Sequence, residues 1–276
     1  MGSRVALAAF ALFGLLLGGG CEAECYVVDP LPKVRKELRE QVDDTLDEAN
    51  VSDEQRAKIQ KLFAATVRAR QTMRDETLPR QREIMAELRR DVPDRARLTE
   101  LLNKNIDAGE RYGHAVIDAV LQTHALLTPS QRKQLAANAQ KPSDAFEGSW
   151  LLDRAVDYFV SRIDATTEQR ALVQRVKLHL IKSGRSLQRQ TDALRAEGAR
   201  EFAKDVPNAA FMHGTVLRGR GFVREAFYNL TGYYLLLSSK LDTRQRALLN
   251  AELVRFEPCP TSTPIPPRVA TLDRIN

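Results

Sequence analysis

The chain has little of what usually carries catalysis, metal binding or a β-sheet. Its four histidines stand apart at positions 114, 124, 179 and 213, and it has only three cysteines. None of the histidines has a cysteine or carboxylate spaced so as to suggest a designed metal site. His114 and His124 are about 280° apart round a helix. His179 lies well before the break at Val206 and His213 shortly after it, so a hairpin would not align them. The expectation is therefore no metal site. No glycine-rich phosphate loop is present, because Gly219-Arg220-Gly221 lacks a strand–turn–helix context. These absences argue against an enzyme and against a bound cofactor. β-branched runs of strand length are also missing, and proline is scarce between Lys33 and Glu257.

What remains is helix-forming material. Long stretches are rich in Ala, Leu, Arg, Glu and Gln. Hydrophobic residues make up 43% and charged residues 28%, a globular balance rather than a disordered one. At 276 residues the chain can hold two domains of ordinary size. The formal net charge of +6 permits anionic partners without demanding nucleic acid.

The N-terminus reads as a targeting segment. Arg4 precedes an unbroken apolar and small run, Val5 to Gly20, the pattern of a secretory signal. Leu16-Leu17-Gly18-Gly19-Gly20-Cys21 resembles a bacterial lipobox, in which the Cys is lipidated and becomes the first mature residue. Gly18 stands where a Leu is usual, with Leu17 one position early. Glu22 after the Cys, rather than Asp, points to the outer membrane over the inner. Export makes disulfides permissible. Cys25 and Cys259 are then either bonded, tying the ends of the body together, or two free thiols.

The strongest signal is a repeat. Glu54-Gln55-Arg56-Ala57 recurs as Glu168-Gln169-Arg170-Ala171, Asp91-Val92-Pro93 as Asp205-Val206-Pro207, and Gln131-Arg132 as Gln245-Arg246. Every pair differs by 114 positions, and segments 52–137 and 166–251 align without a gap at 18 identities in 86. Ser52-x-x-Gln55, Thr128-x-x-Gln131 and Thr166-x-x-Gln169 fit the capping box, and Asp242-x-x-Gln245 is the same device with an acidic cap. The Asp-Val-Pro blocks read as breaks. Each unit then has four helices, at about 32–50, 52–90, 94–126 and 128–139, and at about 149–164, 166–204, 208–240 and 242–256. The organisation expected is a signal at 1–20, a tether at 21–31, unit one at 32–139, a linker at 140–148, unit two at 149–256 and a Pro-rich tail at 257–276. The fold class is all-α.

A Leu-Thr-x-x-Gln helix start, complete in Leu127-Thr128-Pro129-Ser130-Gln131 and varied at the other three boxes, resembles the Spy/CpxP family of periplasmic proteins. Family members have two such motifs and this chain has four, so it is similar to two tandem family units. The resemblance implies long helical hairpins that pair into a thin cradle, here as an intrachain pseudo-dimer. It implies an ATP-independent holdase in the periplasm, acting on unfolded clients; the lipobox would anchor it by lipid, and its basic helices would suit acidic clients. The alternative it implies is an envelope-stress or heavy-metal-responsive regulator that binds a sensor protein. The motif residues are carried over as helix caps only.

Charge and aromatics supply the remaining candidates. The second helix of each unit is strongly basic, net +6 over 56–90 and again over 170–204. Arg68, Arg70, Arg74, Arg82, Lys182, Arg185 and Arg189 form the candidate surface, for acidic protein segments or anionic headgroups. The plain alternative is a solvated helix face. Phe222, Phe227, Tyr228, Tyr233 and Tyr234 either fill contacts between helices or expose an apolar surface to clients.

Overall fold

The computed structural model of the protein describes residues 43–140 and 160–254. The signal segment, the tether, Cys21, Cys25, Cys259, the tail and most of the linker lie outside the described residues. Six helices are bounded within them: α1 (Asp53–Leu88), α2 (Arg95–Leu126), α3 (Pro129–Ala139), α4 (Thr167–Phe202), α5 (Ala209–Ser238) and α6 (Thr243–Val254). Among the described residues all regular structure is helical, as the composition requires. Each helix of the second set starts 114 residues after its counterpart. The sequence placed these boundaries to within about two residues. α1 runs through Pro79 as one 36-residue helix, about 54 Å long.

The same local chemistry punctuates both halves. The helical stretch at 43–48 ends at Asn50 and the one from Val160 ends at Asp164, both in the left-handed region, with φ 51° and 50°. Asn and Asp tolerate that conformation better than most side chains. The next amide in each half bonds back five residues, Val51 to Leu46 and Ala165 to Val160, closing a Schellman-type cap. The boxes at Ser52, Thr128 and Thr166 then start α1, α3 and α4. Asp242 starts α6 in the same way, with Gln245 N–H donating to its carboxylate at 2.8 Å.

At the hairpin ends one carboxylate does several jobs. Asp94 N–H donates to Glu87 at 2.6 Å, and Asn208 N–H donates to Glu201 at 2.7 Å. Arg90 and Lys204 bind the same two glutamates. The Asp94 amide, helped by Arg90, holds the Glu87 carboxyl below its usual range. Lys204 and then the Asn208 amide do so for Glu201. Asp-Val-Pro is thus only the visible part of a turn that Glu87 and Glu201 close.

The two halves meet through α2 and α5, which run antiparallel. Asn103 accepts from Tyr228, Asp107 pairs with Arg220, and His114 meets His213 in succession along the crossing. Each hairpin end is buried against the opposite half. Phe202 and Ala199 join the cluster of Leu46, Ile59, Leu127 and Ala136. Leu88 and Ile84 join Leu98, Leu101 and Leu102, against which Phe227, Tyr228 and Tyr234 pack. Each fully buried Leu in such a cluster contributes about 2 kcal/mol. The aromatics Phe227, Tyr228 and Tyr234 are therefore contact fillers, half-buried between the halves.

Two predictions follow from these contacts. A Cβ at Gly113 would stand 2.7 Å from Val216 Cγ1, on a stiff β-branched side chain at the α2–α5 crossing. Gly113→Ala should therefore destabilise by about 1–2 kcal/mol despite the better helix propensity of Ala, read as a lower urea midpoint. An unchanged or raised midpoint would show that the crossing is looser. The two lowered glutamates stabilise the fold above the unfolded carboxyl pKa of about 4.3, and that stability is lost as pH falls through the lower folded values. Glu87→Gln with Glu201→Gln should flatten the fall in stability between about pH 5 and pH 3, measured by urea titrations at stepped pH.

Candidate functional site

The motif glutamines do more than cap. Each Gln uses its oxygen to accept from its own cap amide, at 2.9 Å for Ser52, Thr128 and Thr166 and 3.1 Å for Asp242. The side-chain nitrogen then reaches across the unit. Gln55 donates to Leu126 O at 2.7 Å and Gln131 donates to Asn50 O at 3.0 Å. Gln169 donates to Lys240 O at 2.8 Å and Gln245 donates to Ile163 O at 3.0 Å. The two amides of each unit also bond each other, Gln55 with Gln131 at 3.1 Å and Gln169 with Gln245 at 2.8 Å. Two helix starts 76 residues apart are therefore fastened side by side. Only an amide at the third helical position can accept from a cap and donate outward at once. The spacing of the boxes showed the caps; the cross-pairing could have been read from the fixed separation of the two glutamines.

The basic candidates divide. Arg68, Lys182, Arg185 and Arg189 are exposed, and none has an ion pair among the described residues. Arg70 is half-buried near Tyr112. Arg74 and Arg82 are half-buried and engaged with partners. Much of the remaining basic charge on α1 is also spent locally: Arg56 binds Asp43 and Asp47, Lys58 binds Glu54, and Arg80 binds Glu76. What persists on α4 is a stripe. Lys182, Arg185 and Arg189 recur three and four residues apart on one face, with Leu178, 63% exposed, a turn before them.

The hairpin argument compared residues within one half, whereas His114 on α2 and His213 on α5 meet across the halves, their Nδ1 atoms 2.8 Å apart. Asp118 lies 3.3 Å from His213 and Glu110 3.7 Å from His114. Among the described residues no three His, Cys, Asp or Glu side chains converge as a metal-ligand set. His124 is buried against Phe202 and bonds Lys204 O at 2.8 Å, so it fastens α2 to the opposite hairpin end. His179 stacks on Tyr233.

The buried amide of Gln245 gives a sharp test of the glutamine pairing. Gln245→Glu keeps the acceptor for the cap amide but loses the donors to Ile163 O and Gln169 and sets a carboxylate against a carbonyl. The expected cost is about 2–4 kcal/mol at neutral pH, read by chemical denaturation, and larger than that of the exposed Arg244→Glu. A cost below about 0.5 kcal/mol would mean the pairing is incidental.

Among the described residues no helix is long and apolar enough to cross a membrane. No curated protein and no solved structure matches the chain. Residues 38–139 match the family model of the LTXXQ motif family protein, which covers the first cap box through the end of α3. The glutamines that this family is named for are the ones that fasten α1 to α3. Over residues 38–139, then, this helical chain is similar to the LTXXQ motif family, which is of Spy/CpxP type.

Proposed function

We propose that this protein is an exported, non-enzymatic binding protein of the cell envelope that holds unfolded or acidic polypeptides without ATP. The observation that carries the reading is the exposed stripe of Lys182, Arg185 and Arg189 beside Leu178 on α4. It sets positive charge, without an ion pair among the described residues, next to an apolar side chain on a rigid helix. That combination suits a client with acidic residues flanking apolar ones. The family match over the first half supports a periplasmic setting.

The same proposal includes two family-type units in one chain, at 32–139 and 149–256, packed as an intrachain pseudo-dimer. The constant offset of the helix starts supports it, as do the reciprocal burials of Leu88 and Phe202. In a two-fold arrangement the contact of one half on the other is returned. Cys21 is proposed as the lipidated residue, which makes the mature protein a periplasmic lipoprotein of the outer membrane. Mass spectrometry of the mature N-terminus finds a diacylated cysteine if so, and an unmodified N-terminus refutes that part.

The binding reading is tested with the soluble form lacking residues 1–21 and a chemically denatured acidic client. Suppression of light scattering at near-equimolar protein is expected. Lys182→Glu, Arg185→Glu and Arg189→Glu together should reduce it at least several-fold, with native helicity retained. Added salt should weaken it as well, since the charges are exposed. No suppression at several-fold molar excess would overturn the proposal.

A further inference from the structure

The two halves are filled unequally where they meet. A cavity of about 250 Å³ lies between α2 of one half and α4 and α5 of the other, bordered by α1 and α3 and partly open to solvent. The residues on its wall include Gly113, Ala119 and Val120 of α2 and Gly198 and Ala199 of α4. At the equivalent positions, 114 residues away, stand Phe227, Tyr233 and Tyr234, and Ile84 and Met85. Ile84, Met85, Phe227 and Tyr234 pack together around Leu98, Leu101 and Leu102. One half fills its side of the interface with aromatic rings, and the other leaves the matching space open.

The chemistry of the wall restricts what fits. Thr66, Thr123, Thr191 and Thr215 line the cavity, yet each hydroxyl donates to a carbonyl of its own helix. Asn138 is turned to Glu48 at 2.6 Å. Thr45, also on the wall, is engaged as well, and Tyr112 supplies the other polar group. Tyr112 is 5% exposed, and burial pushes its hydroxyl well above the usual range with no hydrogen bond among the described residues to offset it. A hydroxyl on such a wall can donate to or accept from a guest. It therefore marks where a guest would place a polar atom.

We propose that this cavity is a binding site for a compact, uncharged, largely apolar small molecule carrying one polar atom for the Tyr112 hydroxyl. The other half indicates the preferred shape, because it fills the equivalent space with phenyl and phenol rings. By proportion with a cavity of about 150 Å³ that takes benzene, this one holds about ten non-hydrogen atoms. The inference is independent of the charged stripe on α4, which lies on an exposed face.

The probe is 1-naphthol, a two-ring phenol of about that size, titrated into the soluble form lacking residues 1–21 and followed by its fluorescence and by calorimetry. Saturable binding of one molecule per chain is expected, with Kd about 10–100 μM. Val120→Tyr, which copies the filled half, should weaken binding at least ten-fold with helicity unchanged. Gly198→Ile, a filling change from a different wall, should do the same and guards against misfolding of the first variant. Tyr112→Phe should weaken binding several-fold, whereas Lys182→Gln should leave it unchanged. Absence of saturable binding up to 1 mM, or equal binding by the parent and a folded Val120→Tyr variant, would overturn the proposal.

Discussion

Everything in this structure depends on the antiparallel crossing of α2 and α5. Without it each hairpin would present its apolar face to water, and a two-helix hairpin cannot bury its own core. The crossing lets each half cover the other. Gly113 permits the close approach to Val216, and the Asp107–Arg220 pair and the His114–His213 contact set the register along it. Phe202, at the far end of its hairpin, is buried among residues of the opposite half, and Leu88 sits in a cluster that aromatics of the opposite half cover.

A second layer of order is polar and local. The four glutamines fasten helix starts in pairs, and Glu87 and Glu201 close the hairpin ends. These bonds contribute modest net stability each, but they fix geometry, because leaving any one unmade in a part-buried site is expensive. Where the halves keep the same residues they keep the same bonds. Where they diverge, at Gly113 against Phe227 or Val120 against Tyr234, packing diverges and a cavity opens on one side.

Much of the fold was legible in the sequence because its punctuation is chemical. The capping boxes and the Asp-Val-Pro breaks each depend on a few residues at fixed spacing, and these placed the helix starts of both halves. Leu98, Leu102, Ile106, Tyr112 and Val116 are buried at helical spacing along α2. The contacts between halves were not legible. Nothing local links His114 to His213 or small residues on α2 to Gly198 on α4, because those pairings arise from the angle and register of two distant helices. The basic candidates divide for the same reason: formal charge counts Arg74 and Arg82 equally with Arg185, and only the folded surroundings show which side chains are already engaged.

The most direct test of the crossing places a photoreactive p-benzoylphenylalanine at position 213 of the otherwise intact soluble chain. After irradiation the monomer is digested and the linked peptides are sequenced by mass spectrometry. The account predicts that the label joins α2 of the same chain, within about one turn of His114. Labelling confined to another copy of the chain, or to segments away from α2, would contradict it.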